Sequence, residues 1–119
     1  MDQSFGKEEK LKKTTSIREL FSKGKYLKEY PISLVYYPVS SLEKHKVGVS
    51  VPKKNFKKAV NRNKLKRQLR ESYRLNKYLI QNTEKKYNIM LVYAGKEKKN
   101  FAEIFSAVKK LLIKLSKKN

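Results

Sequence analysis

The chain has 119 residues, with 31 Lys or Arg against 10 Asp or Glu and a formal net charge of +21. This length is typical of one domain, and a hydrophobic content of 39% supports a modest core. Cysteine is absent, which excludes disulfides, thiolate zinc sites and cysteine nucleophiles and fits a reducing cytoplasm. The excess of positive charge indicates a polyanionic partner.

Residues 1–13 are charged and lack the apolar core of a signal peptide. We therefore predict a mobile charged arm over residues 1–13, a single domain over residues 14–119 and a cytoplasmic location. The domain should begin with a short helix, because Ile17, Leu20 and Phe21 have the spacing of one helical face.

Residues at both ends of this short helix have the chemistry of caps. Thr15 or Ser16 offers an N-cap, with Glu19 placed to complete a capping box. Gly24 is positioned to end the helix in the left-handed conformation, which glycine adopts without steric cost.

Two strands should follow. Residues 32–37 are rich in β-branched and aromatic side chains, and Pro38 closes that run. In residues 47–51 valines alternate with Gly48 and Ser50, which predicts a half-buried strand with one face of small residues, ended by Pro52.

The segment 53–74 carries ten Lys or Arg against a single acid, Glu71, while keeping helical periodicity. An ordinary surface helix would intersperse acids to relieve repulsion between like charges. One side of the predicted helix packs, through Leu65, Leu69, Ser72 and Tyr73. The opposite side should meet an anion, through Asn63, Lys66, Arg67, Arg70 and Arg74.

The basic helix should fade between residues 76 and 81, and a strand is predicted over residues 87–93. Asn100 and Glu103 form a capping signature for the last helix. That helix has a continuous apolar stripe: Phe101, Ile104, Phe105, Val108, Leu111, Leu112 and Leu115. The order of elements predicts an α+β sandwich with helices on one side of a small sheet and a second side that stays wet.

Aromatic side chains on such an open sheet have two interpretations. Each one alone is most simply a core or cross-strand packing residue. As a set beside the basic charge, they could form a groove on which unpaired bases stack. The residues in question are Phe21, Tyr36, Tyr37, Tyr87 and Tyr93.

The sequence argues against hydrolytic chemistry in the protein itself. Metal-assisted cleavage needs clustered carboxylates, but the single Asp is Asp2 and the nine Glu are scattered along the chain. His45 is the only histidine, and because lysines flank it we predict that it is solvated rather than catalytic. We therefore expect neither a catalytic residue nor a metal ligand in this chain.

Three other classes of polyanion-binding protein compete at this point. A membrane-surface helix would carry Trp, Phe or Leu opposite its charges, and Trp is absent. A helix-turn-helix regulator would place its recognition helix after another helix, whereas the basic helix follows a strand and Pro52. A structural ribosomal protein would share the charge and the small size.

The run KVGVSVPKK followed by AVNRNKLKRQLRESYR resembles the signature of the bacterial ribonuclease P protein subunit, an Arg-Asn-Arg helix after a Val-Gly-Ser-Val strand. The resemblance extends from about Lys10 to Leu115. It implies a two-layer α+β sandwich, ribosomal protein S5 domain 2-like, of order α-β-β-(β)-α-β-α with a left-handed β-α-β crossover. It also implies a subunit that binds a catalytic RNA, which holds Mg²⁺, and helps remove the 5′ leader of precursor tRNA, with no membrane or protein partner.

The resemblance also implies sites. The residues expected to bind RNA are Arg62, Asn63, Lys64, Lys66, Arg67, Arg70, Arg74, Lys53 and Lys54. The residues expected to line a cleft for the leader are Ile17, Phe21, Val35, Tyr37, Ser50 and Lys53. Two positions depart from the family pattern: Lys64 stands where a second Arg is usual, and Ile17 stands where a Phe is common.

Overall fold

The computed structural model describes residues 6–118, in which three α-helices accompany a four-stranded sheet. In chain order the elements are a 3-10 turn (Lys7–Glu9), α1 (Thr14–Lys23), β1 (Lys25–Glu29), β2 (Ile32–Pro38), β3 (Lys46–Ser50), α2 (Ala59–Asn76), a second 3-10 turn (Lys77–Ile80), β4 (Tyr87–Tyr93) and α3 (Phe101–Ser116). The predicted α+β fold is confirmed. In the described part of the chain, no helix is both long and apolar enough to cross a membrane.

The sheet has the strand order β1-β2-β4-β3. β2 pairs antiparallel with both β1 and β4. β3 pairs parallel with β4, and α2 lies between these two strands in the chain and connects them. Periodicity assigned no strand to the residues of β1, but with β1 the chain has the α-β-β-(β)-α-β-α order that the resemblance implies. β1 is an edge strand, mostly exposed, with Leu27 as its contribution to the core.

α2 and α3 cover one face of the sheet and enclose the larger core. The stripe predicted for α3 is confirmed from Ile104 to Leu115, where its aliphatic members are completely buried, whereas Phe101 and Phe105 are half-buried. The Oδ1 atom of Asn100 accepts a hydrogen bond from the backbone N–H of Glu103 at 2.9 Å, so the predicted cap is present. This core fixes α2 against the sheet and thereby fixes the direction of its charged side.

α1 lies on the opposite face, so the prediction that all helices share one side was wrong. A second, smaller cluster forms there from Leu11, Leu20, Val35 and Met90, with Ile17 packed against it. The physical reason is that the central strands β2 and β4 present apolar side chains on both faces, and the second face must also be covered.

The capping predictions for α1 were also wrong. The helix begins at Thr14 with Lys13 as its N-cap, and no side chain caps it. Gly24 is extended, at φ −71° and ψ 160°. Glycine is needed there because of a close approach: a Cβ on Gly24 would lie 2.3 Å from the carbonyl oxygen of Leu20 and 2.8 Å from Cγ1 of Val35.

From residue 6 onward, the predicted arm instead packs against the domain. Leu11 is buried, and its backbone N–H donates to the carbonyl of Val47 on β3 at 3.0 Å. The ammonium of Lys77 lies 2.9 Å from a carboxylate oxygen of Glu9. These contacts join residues far apart in the chain, so local periodicity gave no sign of them. Residues 1–5 lie outside the described residues, and the arm stays a prediction for them.

Candidate nucleic-acid interface

α2 separates an apolar face from a basic face, as its periodicity predicts. Leu65, Leu69 and Tyr73 are buried. The opposite side comprises the exposed residues Asn63, Arg67 and Arg70 and the half-buried residues Lys66 and Arg74. The helix starts only at Ala59, so residues 53–58 of the predicted basic helix form a loop instead.

Arg67 and Arg70 give this face its capacity to bind phosphate. Both side chains are exposed, and neither forms an ion pair with another residue in the part of the chain that the structure describes. Their guanidinium groups each offer a planar set of donors that suits bidentate phosphate contact.

Arg74 is partly compensated by an acid. Its Nε donates to Oε2 of Glu71 at 3.2 Å, and its Nη2 donates to the second carboxylate oxygen. This hydrogen bonding lowers the pKa of Glu71, with the charge of Arg74 acting in the same direction. Arg74 therefore offers less free positive charge than Arg67 or Arg70.

Arg62 is turned toward the loop that precedes the helix. Its Nη1 donates to the carbonyl oxygens of Phe56 and Lys57, both at 2.8 Å. Part of its donor set therefore holds the loop that carries Lys53 and Lys54, which are both exposed. From the sequence, Arg62 was predicted only to bind RNA, and its hydrogen bonds to this loop were not anticipated.

Lys64 lies on a flank of the basic face rather than at its centre. It is exposed and sits one helical turn after Val60, which is itself 72% exposed. A single exposed Val is unremarkable by itself. Because Val60 lies among charged residues, it nevertheless adds a small apolar surface to this flank.

The predicted cleft residues have very different exposures. Val35 is completely buried beneath α1, so it forms part of the floor and offers no surface to a ligand. Phe21 is 40% exposed, while Ile17, Tyr37 and Ser50 are half-buried and Lys53 is exposed. Val35 is therefore corrected from a contact residue to a supporting one.

The sheet register also separates two of the predicted cleft residues. Tyr37 lies opposite Asn88, whereas Ser50 lies opposite Val92, four residues farther along β4. This separation is about 13 Å along a strand. One nucleotide cannot contact both, so a strand of RNA would have to extend across the face to reach them.

A cavity of about 180 Å³ joins this face to α2. Ile17 of α1, Gly48 of β3 and Arg70 of α2 all line it. Lys10 and Lys12, which were assigned to the arm, line it as well. The amino-terminal segment thus adds two positive charges to the cleft, a contribution that no local motif indicated.

Tyr26 is a further candidate that sequence reasoning missed. It is 51% exposed, and its hydroxyl donates to the backbone carbonyl of Phe21 at 3.5 Å. The register pairs Tyr26 with Val35, which places its side chain on the α1 face. The strand signal of β1 was too weak to place it, because lysines and a glutamate surround it.

His45 is buried, so the prediction that it is solvated was wrong. The backbone N–H of Tyr87 donates to its Nδ1 at 3.0 Å, and its Nε2 donates to the carbonyl of Ile80 at 2.8 Å. The imidazole also stacks on the Tyr87 ring, with 5.6 Å between centroids. Burial lowers the pKa of His45 and favours the neutral ring, so the side chain acts as a structural link.

Residues 6–118 hold no group of three or more His, Cys, Asp or Glu side chains that could bind a metal ion. Several of the glutamates are instead paired with lysine or arginine. Lysines and arginines therefore dominate the charge of these residues, an arrangement that suits phosphate contact.

The sequence profile of the family described as Ribonuclease P matches residues 5–116. A ribonuclease P protein component of Porphyromonas gingivalis is 36% identical over 124 residues, which cover 95% of this chain and 88% of the relative. A ribonuclease P protein component of Dictyoglomus turgidum is 40% identical over 117 residues, covering 96% and 91%.

Solved structures share the fold. The RNase P protein of Staphylococcus aureus superposes with a TM-score of 0.75 at 22% identity, covering 92% of this chain and 95% of that chain. The RNase P protein of Thermotoga maritima superposes with a TM-score of 0.74 at 26% identity, covering 89% and 96%. With the profile match and the sequence relatives, these structures lead to one conclusion: the chain belongs to the bacterial ribonuclease P protein family.

Proposed function

We propose that this chain is the protein subunit of a ribonuclease P, that it binds the catalytic RNA and that it holds the 5′ leader of precursor tRNA. The observation that carries the proposal is the position of Arg70. This residue belongs to the exposed basic face of α2 and also lines the cavity beside Ile17 and Gly48. Catalytic RNA bound to the basic face of α2 and a leader bound along the α1 face would therefore both contact Arg70.

The division of labour follows from the chemistry of the side chains. The lysines and arginines of α2 and of the loop before it neutralise phosphate repulsion between the two RNAs. Phe21, Ser50 and Lys53 contact the leader in this proposal, with Val35 as support beneath them. Phe21 supplies a ring face for stacking, which tolerates any base. The protein binds and orients the substrate.

We place the hydrolytic chemistry and its Mg²⁺ in the RNA subunit. No step of the proposed role requires a proton transfer by the protein, and His45 is engaged at both ring nitrogens. The cytoplasmic location expected from the sequence belongs to the same proposal.

The fold also bears on the alternatives. In a helix-turn-helix regulator the recognition helix follows another helix through a short turn. α2 instead follows β3 and the loop that Arg62 holds. A structural ribosomal protein would not stimulate cleavage of precursor tRNA in a way that depends on the length of the 5′ leader. Leader dependence therefore separates the two functions.

The experiment is a reconstitution of precursor tRNA cleavage. The protein alone should not cleave in magnesium, while adding it to the matching catalytic RNA should restore cleavage at low salt. The stimulation should be large for long leaders and small when the leader is cut to one or two nucleotides. Equal stimulation of both substrates would show that the protein does not contact the leader. Cleavage by RNA-free protein would refute the proposal that the hydrolytic site lies in the RNA subunit.

Phe21→Ala should reduce the stimulation for long leaders about 5- to 150-fold, the range expected for loss of one stacked base. Tyr78→Ala is a matched control, because Tyr78 is 41% exposed and Phe21 is 40% exposed, yet Tyr78 lies on the 3-10 turn after α2. A loss of the same size in both variants would mean that Phe21 has no special role.

A further inference from the structure

The strands end in such a way that three loops meet at one end of the sheet. Ile32, which opens β2, lies opposite Tyr93, which closes β4, and Ser50 at the end of β3 lies opposite Val92. The turn between β1 and β2, the loop at residues 51–58 and the loop at residues 94–100 therefore lie side by side. The turn between β1 and β2 and the loop at residues 94–100 belong neither to the basic face of α2 nor to the α1 cleft.

Side-chain contacts join the second and third of these loops to each other and to α2. The rings of Phe56 and Tyr93 pack edge to face, with 5.5 Å between centroids. The Tyr93 hydroxyl donates to the carbonyl of Glu97 at 2.6 Å and accepts from the backbone N–H of Lys99 at 2.9 Å. The Lys98 ammonium donates to Oδ1 of Asn61 at 3.2 Å, which connects the third loop to α2.

Positive charge is concentrated at this end. Residues 53–58 contain four lysines and residues 95–100 contain three, and Glu97 is the one acid of both segments. The ammonium of Lys99 lies 3.7 Å from Glu97, so that acid is already paired. The lysines continue the basic surface of α2 beyond its first turn, which is the footprint expected of a phosphate-binding surface.

Tyr30 is the most exposed aromatic side chain among the described residues, at 68%. It is nevertheless held in place. The backbone at Gly95 runs so close beside it that a Cβ there would lie 3.2 Å from the Tyr30 hydroxyl oxygen. The backbone N–H of Ala94 anchors the turn by donating to the carbonyl of the buried Pro31 at 2.7 Å. The Lys99 ammonium lies 5.8 Å from the ring centroid.

A cavity of about 410 Å³ opens beside the Tyr30 ring, with Lys99 and Lys110 in its wall. Two glutamates also line it, Glu29 and Glu103. Glu29 is engaged by the ammonium of Lys114 at 2.9 Å, so its charge is compensated. An exposed ring beside the Lys99 ammonium, at a lysine-rich end of the sheet, is an arrangement that suits an unpaired nucleotide.

From this arrangement we infer that the Tyr30 end of the sheet is a second RNA contact, which stacks one unpaired base on Tyr30 and binds the flanking phosphates through Lys96 and Lys99. The inference rests on the proposed function, since it assumes an RNA-binding subunit. The leader cleft lies under α1, while the Tyr30 cavity lies against α3, so the nucleotide comes from a different stretch of RNA.

The test measures the affinity of the protein for two RNAs separately, the matching catalytic RNA and a precursor tRNA with a long leader. Tyr30→Ala should weaken binding of one of them about 5- to 150-fold without changing its salt dependence. Tyr30→Phe is the matched control and should bind as the parent does, because it keeps the ring. Lys96→Ala with Lys99→Ala should instead reduce the salt slope by about 0.7 to 0.9 per lost phosphate contact.

Cross-linking identifies which RNA supplies the base. The chain has no cysteine, so Ala102→Cys, at an exposed position in the wall of the Tyr30 cavity, provides a single attachment point for an azidophenacyl group. We expect cross-links to unpaired nucleotides of the RNA whose affinity Tyr30→Ala reduces. Cross-links to neither RNA, or unchanged affinity of Tyr30→Ala for both, would overturn the inference.

These outcomes stay separate from a failure of the proposed function. Arg67→Ala with Arg70→Ala, measured alongside, reports on the α2 face. If that variant binds weakly while Tyr30→Ala binds normally, the proposed function stands and the second contact is absent. If the parent protein binds neither RNA, the proposed function itself is refuted. Because Tyr30 is exposed, its variants should unfold at the parent's midpoint, which a thermal melt checks.

Discussion

The ammonium of Lys77 and the carboxylate of Glu9 form an ion pair that is shielded from solvent, with side-chain exposures of 8% and 14%. The pair fastens the amino-terminal segment to the end of α2. We predict that Glu9→Gln lowers the free energy of unfolding by about 1 to 3 kcal/mol, because it removes a negative charge that is hydrogen-bonded to the Lys77 ammonium in a site shielded from solvent. Urea unfolding measures the change.

The chain offers a control for that prediction. Glu8 pairs with Lys44 at 3.5 Å, but these side chains are 82% and 61% exposed. Glu8→Gln should therefore change the free energy of unfolding by less than about 1 kcal/mol. Equal effects of the two substitutions would show that burial does not strengthen the Glu9 pair.

Burial lowers the pKa of His45 below the usual 6.5, with the ring stacked on Tyr87 and bonded at both nitrogens. The unfolded chain therefore takes up a proton at His45 before the folded chain does. We predict that stability is complete above pH 6.5 and falls as the pH is lowered from 6.5 toward the depressed folded pKa. His45→Gln should flatten this slope, measured by urea unfolding between pH 7 and pH 5. An unchanged slope would mean that another group titrates.

Arg67→Ala with Arg70→Ala should weaken binding of the catalytic RNA and reduce the salt slope by about 1 to 2, because two exposed phosphate contacts are lost. Both residues lie opposite the buried Leu65 and Leu69, so the thermal midpoint should not change. Lys109→Ala with Lys118→Ala removes the same charge from two exposed positions, one on α3 and one just after its end, and serves as control. Equal weakening in the control would mean that net charge alone governs binding.

Gly24→Ala should destabilise the fold by about 1 to 3 kcal/mol, because the new methyl group would meet the Leu20 carbonyl and the Val35 side chain. Gly6→Ala is the control, since nothing lies within 4 Å of a Cβ built there. Thermal denaturation distinguishes the two. If Gly24→Ala leaves the thermal midpoint unchanged, α1 can shift on the sheet without a measurable loss of stability.

Features that depend on neighbours in the chain were predictable. The apolar stripe of α3, the cap at Asn100 and the two faces of α2 follow from helical periodicity, and the structure has them. The end of α2 near residue 76 was also anticipated, since its last turn gives way to the 3-10 turn at Lys77–Ile80.

Features that depend on distant contacts were not. His45 looks solvated beside its lysines, but its partners Ile80 and Tyr87 are 35 and 42 positions away. Val35 matched the cleft pattern, but α1 covers it completely. Arg62 is a separate case: its partners Phe56 and Lys57 are only six and five positions away, but these hydrogen bonds depend on how the loop turns, which periodicity does not encode.

The order of elements has a consequence for synthesis on the ribosome. All four strands precede α3, yet Ile104, Val108 and Leu111 of α3 close the main core over the sheet. A nascent chain that has emerged only as far as Asn100 therefore leaves open the part of this apolar face that α3 covers in the finished fold, a surface on which partly made proteins associate. The strong positive charge of the chain opposes that association, because nascent copies repel one another before α3 closes the core.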